Sequence, residues 1–294
     1  MKKLLPILFV LLPVFGFCQY IPQFSQLIKT LELVNPGYNA SKVDPSATLL
    51  YRNQWTGFDG APKTFAANIN VPVNKWHTGF GVNAIGETRG LITQTNIALN
   101  ANVDVKINEL SYLAFGINGG VETKRIDMGR AIYFGDLPFV AEDFNSNSFY
   151  TGVGLNFFAR ELHLGAAFHY TQLAKSNYNS NEFYSLYLNG SYLLNLSETW
   201  SVKPSLMYRY HAGYSDLDIG FFGLYKDLFW AGVAYRINNA VIFFADVKIT
   251  NFLRLGYSYD LDVRKIDYFD YGSHEISVEI TLPRKTKQFE RMGN

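Results

Sequence analysis

Five histidines are the first residues to test for chemistry: His77, His163, His169, His211 and His274. Only His163 and His169 share one alternating stretch with the same parity. Extended chain would hold them about 20 Å apart, at roughly 3.4 Å per residue, too far for one metal. Neither belongs to a helical HExxH spacing. Asp216 and Asp218 also share a parity, and two carboxylates can divide acid and base roles. The hydrated interior of a barrel explains the same pair without catalysis and is the favoured reading. No G-x-S-x-G elbow or Walker loop is present. Gly79 and Gly81, like Gly152 and Gly154, recur at period two and precede no helical pattern, which excludes a phosphate loop. No catalytic, metal or cofactor site is therefore expected. A barrel hydrolase whose side chains are scattered over several strands would leave no local motif and stays open.

The elements that would position any site are β-strands behind a leader. Lys2 and Lys3 precede an uncharged apolar run from Leu4 to Phe17. Gly16 and Cys18 then flank a cleavage point before Gln19, the pattern of an export signal. The run is shorter than the roughly 20 residues that a membrane helix needs. Phe17 is too large for the position before a lipid-modified cysteine, which disfavours lipidation of Cys18. Cys18 is the only cysteine, so a cleaved chain keeps no thiol and no disulfide. Cleavage would also remove two of the 26 basic residues, and 24 against 25 acidic ones gives −1. Bulk charge thus offers nucleic acid nothing. Aromatic residues at 16% and charged residues at 17% fit a chain that faces lipid, though a soluble all-β protein shares the bias.

Alternation decides between them. In Ser111–Val121, Leu113, Phe115, Ile117 and Val121 oppose Tyr112, Ala114, Gly116, Asn118 and Gly120. The same period recurs in Ser148–Phe158, Glu161–Gln172, Leu228–Asn238 and Glu275–Leu282. Strands are predicted to start near residues 46, 64, 77, 91, 110, 148, 161, 182, 199, 216, 228, 240, 251 and 274. That makes about fourteen, an even number as single-chain barrels require. Arg52, Asp104, Lys106, Glu122, Lys203, Arg209, Asp246, Lys248 and Arg254 all take the parity of the small residues. On a lipid face an Arg or Lys would cost about 2–4 kcal/mol near the midplane. This sorting predicts a transmembrane antiparallel β-barrel of the outer-membrane type. Tyr208, Tyr210, Tyr225, Tyr257 and Tyr259 take the outward parity near strand ends, as interface girdles do.

Connections alternate in length. Tight turns are expected near Asn108–Glu109, Arg160, Ser197–Glu198, Asp227 and Thr250–Asn251. Long ones are expected at Thr123–Asn147, Leu173–Asn181 and Asp262–Ser273, which would face outward. The predicted organisation is a signal peptide over 1–18, a periplasmic lead-in or plug over 19–45, an outer-membrane barrel over 46–283 and a basic tail over 284–294. The last strand ends near Leu282 without a terminal aromatic residue. The tail reads as a solvated end, with partner docking as the alternative.

The most distinctive text lies early. Pro22-Gln23-Phe24-Ser25-Gln26 is followed by the turn signal Asn35-Pro36-Gly37-Tyr38. Then comes Tyr51-Arg52-Asn53-Gln54-Trp55-Thr56-Gly57-Phe58-Asp59-Gly60-Ala61-Pro62-Lys63-Thr64. Gly57 to Lys63 reads as the loop of the first hairpin, shaped by Gly60 and Pro62. These residues closely resemble the PorP/SprF family of type IX secretion membrane proteins of Bacteroidetes. That family runs PQFSQ, then NPAY or NPGY, then LLYRNQWxGFxGAPKT. Gly37 stands where Ala is commoner, and Ser273-His274-Glu275-Ile276 opens the last strand as in the family. The resemblance spans essentially the whole exported chain.

The resemblance implies a noncatalytic outer-membrane component that binds particular cargo and helps it reach or anchor at the surface. Such cargo carries a C-terminal sorting domain and includes large gliding adhesins. The translocon, its periplasmic components and outer-membrane lipid are the implied surroundings. The motif residues Asn35, Pro36, Gly37, Arg52, Asn53, Gln54, Trp55, Gly57, Gly60, Pro62 and Lys63 are expected to be structural or to touch a partner. For Arg52, Trp55, Gly57, Gly60 and Pro62, fixing the first hairpin is the favoured role. The Thr123–Asn147 loop is the expected cargo contact. The rival reading, from the polar mixed-charge lumen, is a solute channel or transporter.

Overall fold

A computed structural model describes residues 23–26, 29–130, 143–173, 182–263 and 272–283. The expected leader and the whole basic tail, 284–294, lie outside these residues. Fourteen strands form one closed antiparallel ring. They are β1 (Ser46–Asn53), β2 (Lys63–Val73), β3 (Thr78–Arg89), β4 (Ile92–Asn108), β5 (Ser111–Ile126), β6 (Phe144–Ala159) and β7 (Leu162–Leu173). Then follow β8 (Glu182–Tyr192, continued as Leu194–Asn195), β9 (Trp200–His211), β10 (Tyr214–Tyr225), β11 (Phe229–Arg236), β12 (Ala240–Thr250), β13 (Leu253–Asp262) and β14 (Ser273–Thr281). Each strand pairs with its neighbour in sequence, and β14 pairs with β1 from Ser46↔Thr281 to Asn53↔His274. Closure leaves no sheet edge, the condition for strands to cross lipid.

The break in β8 has a local cause. It lies opposite Pro204 of β9, between the pairs Ser191↔Ser205 and Leu194↔Val202. Proline has no N–H to give to the ladder.

The alternation reads through to the faces. Asn68, Asn83, Asn100, Asn118 and Asn156 turn into the ring and are buried. Leu99, Ile117, Phe149, Val153 and Phe221 turn outward and are exposed, as side chains in contact with lipid must be. Arg52, Asp104, Arg209 and Asp246 are buried on the inner side, which is the predicted sorting of charge.

The two ends differ. One, the turn end, carries Asn74–His77, Glu109–Leu110, Arg160–Glu161 and Asn251–Phe252. The other, the loop end, carries Gln54–Pro62 and the connections across 127–143, 174–181 and 263–272. It also carries tight turns at Gly90–Leu91 and Ala212–Gly213, so the asymmetry is partial. The connection expected over Thr123–Asn147 is shorter, because the β5–β6 ladder runs on to Ile126↔Phe144. Likewise Lys63, expected in the first loop, opens β2 opposite Asn53 and Thr88.

Candidate functional site: the occupied lumen

The described residues before β1, Gln23–Gln26 and 29–45, lie inside the ring. The Gln23–Gln26 stretch meets a set of buried charges near the loop end. Glu275 on β14 accepts the backbone N–H of Ser25 and of Gln26, each at 2.8 Å. Arg236 on β11 donates to the Phe24 carbonyl at 3.3 Å. Asp260 on β13 accepts from Ser25 Oγ at 2.6 Å, and Arg52 on β1 donates to that same Oγ at 2.8 Å. Ser277 Oγ donates to Gln26 Oε1 at 2.7 Å, and Gln26 Nε2 returns to the Glu275 carbonyl at 3.1 Å.

The charges that hold this stretch also hold one another. Arg52 reaches Asp260 at 2.7 Å and Glu275 at 3.4 Å. Arg236 bridges Asp260 and Asp218, and Arg209 adds a second bond to Asp218 at 2.7 Å. Three guanidinium groups thus face three carboxylates around β1, β9, β10, β11, β13 and β14. Burial of so many ions is tolerable only because each finds a partner. Asp218 is therefore engaged by two arginines. Asp216 accepts amide protons from Gln23 and from Asn239 instead. The two aspartates expected on one face do not face each other as an acid–base pair.

A second seat lies deeper. Asn35 and Asn156 exchange amide bonds at 3.1 and 3.0 Å, and Asn35 Oδ1 also accepts Gly37 N–H. Asn35 caps the short 3₁₀ turn Pro36–Ser41. Two lumenal glycines make room for it. A Cβ on Gly116 of β5 would strike the Pro36 and Gly37 backbone, and one on Gly154 of β6 would strike Asn35. Of the period-two glycine pairs, only Gly154 clears this turn, while Gly152 makes room for His169 and Asn118. His169 shares its ring between the Tyr150 hydroxyl on Nδ1 and the Val34 carbonyl on Nε2. A carbonyl only accepts, so Nε2 carries the proton. His163 binds Asn156 and Asn189 in the same way. Both histidines serve the seat. Among the described residues no group of three or more His, Cys, Asp or Glu could hold a metal.

The segment then descends to the turn end. Glu32 accepts from Thr48, Asn70 donates to the Asn39 carbonyl, and Lys42 pairs with Glu279 near the end of β14. Phe24, Leu31, Leu33 and Val34 pack with Leu50, Ala66 and Ala167 of the wall. On β10 to β12 the wall's own apolar side chains also fill lumenal space. Phe222, Leu224, Ala234, Ile242 and Phe244 form one buried cluster, with Trp230 and Leu193 against it.

Above the segment, toward the loop end, a cavity of about 480 Å³ remains. Phe24, Leu33 and Val34 form part of its lining, with Tyr187 and Ile85. Glu87, Arg89, Glu122 and Lys124 lie on the β3–β5 wall, where Glu87 and Arg89 pair at 2.9 Å. The volume lies in the range of small-molecule pockets.

The first-hairpin motif is divided by the fold. Arg52 does not reach the hairpin loop; it turns into the lumen and joins the charge cluster. Asn53 ends β1 opposite His274 and Lys63, and Lys63 itself is exposed. Gln54 is buried and its N–H donates to the Pro62 carbonyl. Trp55 N–H donates to Ser273 Oγ, and Thr56 N–H to the Gly272 carbonyl. Gly57 and Gly60 have φ of 96° and 77°, which glycine adopts freely. The Gly60 carbonyl accepts Gly90 N–H at 2.8 Å. The loop is thereby tied to the connections on both sides. Trp55, Gly60 and Pro62 also line the cavity.

The fold and the occupied lumen define an outer-membrane-type β-barrel that carries its own chain inside. The chain belongs to the PorP/SprF family, type IX secretion system membrane proteins, whose profile matches residues 17–280. The monoaromatic hydrocarbon channel CymD is similar in fold: 10% identity, 89% of this chain and 94% of that one covered, TM-score 0.52. A FadL homologue from Pseudomonas aeruginosa aligns at 12% identity over 84% of this chain and 92% of its own, with a TM-score of 0.48. No curated protein matches the chain.

Proposed function

We propose that this protein is a noncatalytic docking platform of the type IX system, exported by a cleavable leader to the outer membrane. In this reading it binds secreted proteins through their C-terminal sorting domains, gliding adhesins among them, and helps them reach or anchor at the surface. The observation that carries the reading is the occupied lumen of a family member. A barrel that holds Gln23–Gln26 and Asn35–Ser41 across its interior is suited to present a surface rather than a pore. The loop end, with the 127–143 connection, is the cargo face. The translocon and its periplasmic components are the machine partners, and lipid meets the outward apolar face. The motif residues from Asn35 to Gly37 and from Arg52 to Lys63 act here by fixing the inner segment and the loop-end surface.

The test is deletion of the gene followed by surface proteomics. Loss from the surface of at least one protein with a C-terminal sorting domain is expected. Normal display of every such protein would sink the reading. The cavity supports one rival, a channel or transporter for a small solute, and CymD is a channel of that fold. Saturable block of a steady current by a solute would favour the rival.

A further inference from the structure

The contacts around Phe24-Ser25-Gln26 have the form of a peptide complex. One carboxylate takes two successive backbone N–H groups, and one guanidinium takes the preceding carbonyl. Side-chain selectivity comes from Ser25 between Asp260 and Arg52, and from Gln26 against Ser277. Glu275, Arg52, Arg236 and Asp260 are all almost fully buried. Charge-assisted bonds in such a setting are roughly twice as strong as neutral ones.

The position of this site along the barrel axis sets a direction. Gln23 bonds Asp216, close to the loop end of β10, and Asp216 also holds Asn239 of the loop-end turn between β11 and β12. At the other extreme Lys42 meets Glu279 near the turn end of β14, and Asn74 of a turn-end connection donates to the Val43 carbonyl. Between them, Lys29 pairs with Asp246 and Asn35 with Asn156.

We infer that the chain threads its own barrel from the turn end to the loop end, and that the Arg52–Glu275 cluster is a binding site for a bent peptide segment whose ligand is Phe24-Ser25-Gln26 of the same chain. Gln23 is thereby presented on the face that carries the long connections. The inference stands whether or not that face docks cargo.

Cysteine labelling of the full chain in cells tests it. Gln23→Cys is compared with Phe58→Cys at the loop end and Trp76→Cys at the turn end, both exposed positions. The unsubstituted chain gives the background labelling. With a membrane-impermeant maleimide, Gln23→Cys is expected to label in intact cells as Phe58→Cys does. Labelling only after permeabilisation, together with Trp76→Cys, would overturn the threading, and so would no labelling under either condition. Added Ser25→Ala or Arg52→Gln is expected to raise the Gln23→Cys labelling rate several-fold by loosening the site. Ser25→Ala leaves the wall intact, so an unchanged rate there would overturn the peptide-site assignment even if Arg52→Gln fails to assemble.

Discussion

The lumen is filled in two ways, and the contrast separates what is recognised from what is merely packed. Along β1, β13 and β14 the filler is polypeptide, held by directed bonds from Arg52, Asp260 and Glu275. On β10 to β12, where Asp216, Arg236 and Asp246 also reach the segment, the wall adds a cluster of apolar side chains, Phe222, Ile242 and Phe244 among them. Directed bonds fix one sequence in one register, because each buried ion left without its partner is costly. Apolar packing specifies volume more than identity, and similar shapes exchange at small cost. The first filler therefore depends on particular residues of the motif, whereas the second asks only for bulk.

Substitutions should sort accordingly. Arg52→Ala leaves Glu275 without its arginine and Asp260 with Arg236 alone, and is expected to have the largest effect, about 3–5 kcal/mol of barrel stability. The urea midpoint of the heat-modifiable band in vesicles reads this loss. Gly116→Val drives a side chain into Pro36 and Gly37 and should cost about 1–3 kcal/mol by overpacking. Protease sensitivity of the inner segment is the sharper readout for that variant. By contrast, Phe222→Leu keeps an apolar side chain in the second filler and should cost below about 1.5 kcal/mol. A loss there equal to that of Arg52→Ala would erase the contrast. Lys106→Ala removes only an exposed pair with Glu109 at 3.9 Å and should change stability by less than about 0.5 kcal/mol, read from the same midpoint.

Period-two alternation made the barrel legible in the sequence. The expected start near 46 is Ser46, those near 91 and 110 are Ile92 and Ser111, and that near 240 is Ala240. Local pattern sufficed because each strand pairs with its sequence neighbour. The loop expected over Thr123–Asn147 is longer than the structure's because its flanks turn polar once they rise above the apolar band, while the ladder continues. The site was far less legible. Arg52 looked like part of a hairpin because its text adjoins Trp55 and Gly60. Its partners lie 208 and 223 residues away, a pairing that follows only from closure of the ring. The cue that existed was an arginine of inward parity, with Asp260 and Glu275 of inward parity near the same end. Gly116 and Gly154 gave a similar hint. Their inward parity shows only that small residues face the lumen; the turn that needs the room lies far earlier in the chain.

Because the inner segment and the apolar cluster together occupy the barrel interior, ion conduction is the most direct test. Purified full-length protein is inserted into a planar bilayer at moderate salt, and current is recorded over a range of voltages. A self-occupied lumen predicts no steady open level for the unsubstituted chain, with current appearing in Arg52→Ala. A steady, ohmic conductance from the unsubstituted protein would contradict it.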